Sequence, residues 1–225
     1  DAILATAQTK GDALPAPALR VTRGILVVRV GDRYDPLLLH DLNVDAPRLS
    51  TTMQNPVSVS ASVQGGGSLQ LRGYWGPVQW QGRAPTIPWN VLVNATKVAI
   101  ANSNLMMAIA PAVDGLMSID GTAESTGADL QVKGNGEFQK LKLAVGGAPS
   151  IEPLSVAFAL GYNYATHSGT LSRCDLRLNR GSAGVRGRFA IDDDGTKVKL
   201  TVEALGAPVT TLAGLLPAAG VPLPP

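Results

Sequence analysis

Aromatic side chains are scarce: only 4% of the 225 residues, although 45% are hydrophobic. Phe, Tyr and Trp bury about 150–250 Å² each and anchor thick cores. A chain that relies on Val, Leu, Ile and Ala suits a broad, thin sheet better than a thick globule. Charge is scarce too. Charged residues are 16%, against about 25% in ordinary soluble domains, and 19 Lys and Arg nearly balance 17 Asp and Glu. The pI of 8.8 reflects that balance rather than a basic patch. No Lys/Arg run with interleaved aromatics is present, so nucleic acid is not expected as a partner. The single cysteine, Cys174, rules out an internal disulfide. In an alternating run it reads as a small buried hydrophobe rather than a nucleophile. No stretch reaches the roughly 18–20 apolar residues of a membrane helix. The longest, Leu105 to Val113, is shorter and holds Pro111.

What the sequence does contain is alternation. Val57, Val59, Ala61 and Val63 alternate with Ser58, Ser60, Ser62 and Gln64, and after Gly65-Gly66-Gly67 the pattern resumes with Leu69 and Leu71 against Ser68, Gln70 and Arg72. A period of two marks a strand with one apolar and one polar face. The glycines supply the positive φ of a reversal. The stretch reads as a hairpin that is apolar on one side and polar on the other.

The same pattern recurs along the chain. Residues 1–19 carry Pro15 and Pro17 and read as a loose lead-in to a single β-rich domain over 20–225, with a possible subdivision near 75–115. Val21 to Val30 reads as a strand with cover on both faces, because Ile25 and Val27 stand opposite Leu26 and Val28. Leu37 to Val44 is a second strand. Trp75 to Pro88, with Pro77, Pro85 and Pro88, is expected to be irregular. Its Trp75, Trp80 and Trp89 read either as a hydrophobic plug at the sheet end or as an aromatic ligand contact. Val91 to Ile100 is a further strand, followed by a short helix over Asn102 to Ala110 that Pro111 stops. Strands are expected at 116–122, 129–134, 137–145, 154–160, 168–179, 184–191 and 197–204, with tight turns at Gly134-Asn135-Gly136 and Asp194-Gly195. Pro208 to Gly220 reads as a second short helix. Leu154, Val156, Phe158 and Leu160 form one stripe.

Catalytic and metal chemistry finds no foothold in the pattern. His40 and His167 are the only histidines, and no G-x-S-x-G elbow accompanies them. Asp192-Asp193-Asp194-Gly195 lacks the alternate ligands and distal Glu of a calcium loop and reads as turn chemistry. Gly65-Gly66-Gly67 lacks the following Lys-Ser/Thr of a phosphate loop. No catalytic residue, metal ligand or cofactor is assigned.

Several residues carry a family resemblance. In the C-terminal half they are Asp120-Gly121, Lys133-Gly134, the Leu141-Lys142-Leu143 strand, Gly146-Gly147-x-Pro149, Pro153 and Tyr162-Asn163-Tyr164. The closing Leu215-Leu216-Pro217-Ala218-Ala219-Gly220-Val221-x-Leu223-Pro224 fits an LLPxxGxxLP pattern, and Gly65 to Pro77 fits GGGxLxLxGxxGP. From about Arg20 to Pro225 the chain resembles the C-terminal periplasmic region of AsmA-like bacterial envelope proteins. The resemblance implies an inner-membrane-anchored protein whose periplasmic part is a twisted β-sheet curled into a gutter. In that family the apolar inner face is associated with phospholipid transfer and outer-membrane assembly, and no catalytic residues are implied. The membrane anchor would lie outside this chain, which is then a segment of a longer protein.

The expectation is therefore a mainly β fold: a long twisted antiparallel sheet curled into a gutter or open barrel, with one or two short helices. Its function is expected to be non-enzymatic, binding or conducting phospholipid between inner and outer membranes alongside envelope protein partners. The candidate groove wall is Val57, Val59, Val63, Leu69, Leu71, Leu154, Val156, Phe158 and Leu160. The alternative is a structural or adhesive β-sandwich module that binds proteins through its sheet edges.

Overall fold

The computed structural model describes residues 17–29, 36–81, 84–100, 113–178, 181–192, 195–205 and 218. Its strands, in chain order, are β1 (Leu19–Val28), β2 (Leu37–Ala46), β3 (Asn55–Val63), β4 (Ser68–Trp75), β5 (Gln79–Gln81), β6 (Ala84–Thr86), β7 (Trp89–Ala99), β8 (Asp114–Ser125), β9 (Asp129–Lys142), β10 (Leu154–Asn163), β11 (Ser168–Leu178), β12 (Gly181–Asp192) and β13 (Gly195–Leu205). Eleven of them form one antiparallel sheet in the order β1-β2-β3-β4-β7-β8-β9-β10-β11-β12-β13, and β5 pairs only with β6. Each strand of the large sheet pairs with its nearest sheet-forming neighbours in sequence, through short connections at β3–β4, β8–β9, β10–β11, β11–β12 and β12–β13 and longer ones elsewhere. The sheet is open, with β1 and β13 at its edges, and the described residues contain no helix.

The β3–β4 hairpin forms as the alternation requires. Ala61 pairs with Leu69 and Val59 with Leu71, and the reversal uses Gly65, Gly66 and Gly67 at φ of 84, 116 and 93°. Between β4 and β7 the chain makes an excursion that holds the small β5–β6 hairpin, an ordered piece within a stretch that reads as irregular. β7 then returns to pair with β4 along its length, so the sheet runs on unbroken.

Two expectations need correction. Gly134-Asn135-Gly136 is not a turn but the middle of the 14-residue β9. Gly134 faces Gly121 across the sheet, and a Cβ on it would lie 2.5 Å from the Asp120 carbonyl oxygen and 2.8 Å from the Gly121 Cα. Close approach of two backbones, not a reversal, explains glycine there. β1 is also not covered on both sides. It is an edge strand, and Ile25 and Val27 are 66% and 47% exposed. The helices expected at 102–110 and 208–220 lie outside the described residues, apart from Ala218, which is fully buried and accepts a hydrogen bond from Leu143 N at 2.8 Å.

Candidate functional site

Residues directly opposite in an antiparallel pair share a face, so the register traces each face across the sheet. One row runs Val59–Leu71–Val93–Gly121–Gly134–Phe158–Cys174. The next runs Ala61–Leu69–Ala95–Ile119–Gly136–Val156–Leu176–Ala183. A third runs Val57–Gly73–Val91–Ala123–Val132–Leu160–Leu171–Gly187–Leu200. Val63 faces Leu39, and Leu154 faces Phe138 and Leu178. All nine residues of the expected groove wall therefore lie on one face. They form two groups, on β3–β4 and on β10, with β7, β8 and β9 between. At about 4.8 Å per strand, β4 and β10 are about 19 Å apart, so the groups share a surface without touching.

The opposite face is polar. Its central row is Ser60–Gln70–Asn94–Asp120–Asn135–Ala157–Asp175. Asn94 donates to Asp120 at 3.1 Å and Asn90 to Glu124 at 3.0 Å. Arg20 and Asp45 form an ion pair at 3.0 Å, and Arg173 and Asp175 another at 2.6 Å. A depression of about 420 Å³ opens there, lined by Asn94, Asp120, Glu137, Ser155, Arg173 and Arg177.

The strands between the two groups supply wall residues that simple alternation missed: Val91, Val93, Ile119, Ala123 and Val132. A usable signal was present. In five strands the apolar spacing takes one step of three: Val21 to Gly24, Leu39 to Leu42, Ala95 to Val98, Phe138 to Leu141 and Leu171 to Cys174. The register shifts at each of these steps. In four of them the extra residue is Arg23, Asp41, Lys97 or Lys140, with φ between 49 and 53°. A bulge inserts one residue and restores the phase, so the apolar side chains after it return to the same face.

The two ends of this face differ. At one end Leu39, Ala61, Val63, Ala95 and Val98 form a buried cluster with Leu37, Leu42, Leu69 and Ile119 packed on it. The other end carries the row Asn55–Trp75–Trp89–Ser125–Leu130–Tyr162–Gly169–Phe189–Val198. Asn55 is fully buried. Its Oδ1 accepts from Ser50 N at 2.6 Å, and its Nδ2 donates to the carbonyls of Ser50, Met53 and Trp75 at 2.6, 3.0 and 3.3 Å. One side chain thus ties the β2–β3 connection to the sheet end. Trp75 and Trp89 stand directly opposite each other, whereas Trp80 on β5 is 75% exposed.

The remaining candidates have modest settings. His167 lies in the β10–β11 turn at φ 48°, with Nδ1 3.3 Å from the Tyr162 hydroxyl, and His40 is half-buried on β2. Cys174 is half-buried on the apolar face opposite Phe158, and burial pushes its thiol above the ordinary range, with the Asp175 charge adding to the rise. Asp192 pairs with Gly195 at the β12–β13 junction; Asp193 and Asp194 lie outside the described residues. Among the described residues no group of three His, Cys, Asp or Glu side chains could hold a metal, and no helix is long and apolar enough to cross a membrane. No protein-family model, curated protein or solved structure matches the chain.

Proposed function

We propose that this chain is a non-enzymatic, AsmA-like segment whose apolar sheet face binds phospholipid acyl chains, as part of an inner-membrane-anchored periplasmic protein that moves lipid toward the outer membrane together with envelope partners. In this reading the sheet curls into a gutter around its lipid. The observation that carries it is the continuity of one apolar face from β1 to β13, kept in phase by bulges and still half-open along Val57, Val59, Leu71 and Val156. A face of this extent does not stay in water without association. Each Val or Leu taken from water contributes about 1.5–3 kcal/mol, so acyl chains laid on it would bind without any specific polar contact.

Native mass spectrometry with lipid extraction tests this. Phospholipid is expected with the native chain, and its loss is expected in Val59→Asp and Val156→Asp, while Gln70→Asp on the polar face keeps it. Circular dichroism should remain mainly β throughout. Lipid retained by both valine variants would sink the proposal. A lipid-free native chain that unfolds cooperatively would support the sandwich module instead.

A further inference from the structure

The aromatic residues are few, and the fold gathers them. Of the ten Phe, Trp and Tyr residues in the sequence, Trp75, Trp89, Tyr162 and Phe189 fall in one cross-strand row at one end of the apolar face. Tyr164 follows Tyr162 in the β10–β11 turn and Trp80 lies on the excursion between β4 and β7, whereas Tyr74 pairs with Asn90 on the polar face. Tyr162 stacks on Phe189 with centroids 6.1 Å apart and planes 9° from parallel, and meets Tyr164 edge-on at 5.5 Å. Gly169 lies between Tyr162 and Phe189 in the row, and a Cβ on it would run into the Phe189 ring. The missing side chain is what lets the rings meet. The opposite end is aliphatic and already closed, with Leu39 and Val63 each only 7% exposed.

Beside the row, in the loop leading to Asn55, Arg48 donates from Nη2 to the Gln54 carbonyl at 2.8 Å. Its Nε is buried with no acceptor. An orphaned guanidinium donor is uncommon and calls for an explanation such as a bound anion. Rings with an apolar body and a polar edge favour the boundary between hydrocarbon and headgroup.

We infer that the face is polarised. Resting on the lipid-binding reading above, the Trp75–Trp89 part of the aromatic row holds the glycerol–phosphate boundary of a bound phospholipid, its acyl chains run along the strands toward the closed Val63 end, and Arg48 meets the phosphate. From Asn55 to the closed end at the buried Ala61 the strand offers about 20 Å for those chains.

Trp fluorescence quenching tests the orientation. In a Trp80→Phe background, emission comes from Trp75 and Trp89 alone. The protein is loaded with phosphatidylglycerol carrying a nitroxide at carbon five or at carbon sixteen of one chain, and bound lipid is counted by extraction from the same sample. The carbon-five label is expected to quench more strongly. Equal or stronger quenching by the carbon-sixteen label, with lipid bound, would overturn the polarity while leaving lipid binding standing. No lipid retained from either preparation would overturn both. Arg48→Gln is expected to weaken phosphatidylglycerol retention about tenfold, as loss of a hydrogen bond to a charged group does, and to spare diacylglycerol. Equal losses for both lipids would remove Arg48 from the site. Inorganic phosphate alone is expected to leave the emission unchanged; a response to it that vanishes in Arg48→Gln would assign Arg48 to a free anion and overturn the headgroup contact.

Discussion

Asn55→Ala is the sharpest test of how the aromatic end of the sheet is held. The side chain is fully buried and makes four hydrogen bonds, all to backbone groups, three of them in the β2–β3 connection and one to Trp75 on β4. Truncation leaves those groups without their partner. Met53 is half exposed, so water can replace the bond to its carbonyl at little cost. The Ser50 N–H, the Ser50 carbonyl and the Trp75 carbonyl remain, at about 1 kcal/mol each. The expected loss is about 3 kcal/mol, or a Tm lower by about 6–12 °C for a chain of this size. Urea unfolding followed by Trp fluorescence and thermal circular dichroism would measure it. Asn55→Asp separates the donor from the acceptor role. Its carboxylate keeps the bond from Ser50 N but turns its second oxygen toward three carbonyls. The folded state then favours the neutral acid and raises the carboxyl pKa above its unfolded value of about 3.9. This variant should be most stable below that value and lose stability as pH rises toward the folded pKa. An Asn55→Ala variant within about 0.5 kcal/mol of the native chain, the scatter of ordinary surface changes, would refute the argument, as would an Asn55→Asp variant indifferent to pH between 4 and 7.

Gly134→Ala should destabilise by about 1–3 kcal/mol, because the added methyl meets the backbone of β8; a neutral result in urea unfolding would mean the strands are not this close. Asp41→Gly should raise the urea midpoint, since glycine removes the left-handed strain of about 1–2 kcal/mol at φ 49° at a smaller entropic cost. A lowered midpoint would show that the bulge is held by the Asp41 side chain instead. Cys174 should react with iodoacetamide at pH 8 more slowly than free cysteine, because burial raises its pKa and thins the thiolate. Asp175→Asn should speed the reaction only in part, since the Asp175 charge is the lesser cause.

Much of this fold was legible because one-sided strands announce themselves. Wherever the alternation was strict, as in Val57 to Leu71 or Leu154 to Leu160, both strand and face follow from the residues alone. Gly134-Asn135-Gly136 misled for a physical reason: glycine suits a reversal and equally suits two backbones in close approach, and only the partner strand decides which. Ile25 and Val27 misled similarly. An apolar strand reads as covered, yet pairing places β1 at an edge. The aromatic row could not be read, because Trp75, Trp89, Tyr162 and Phe189 are spread over more than a hundred residues and fall in line only through the register of seven strands.

The bulges show what the sheet gives up to keep its faces distinct. In β2 the apolar residues fall into two sets, Leu37 and Leu39, then Leu42, Val44 and Ala46. Without the extra residue at Asp41, the second set would project to the polar face beside Ser58 and Ser60. Exposing the half-buried Leu42 and Val44 together with the buried Ala46 would forfeit about 2–4 kcal/mol. Holding Asp41 in the left-handed region costs about 1–2 kcal/mol, so the bulge wins. The same comparison holds for Lys97 in β7, where Val98 and Ile100 return to the buried side. A sheet apolar on both faces would gain nothing from such corrections. Their recurrence on β1, β2, β7 and β9 follows from one requirement, that a single apolar surface stay continuous across the whole width of the sheet. That continuity is also the property a ligand with long hydrocarbon chains would need.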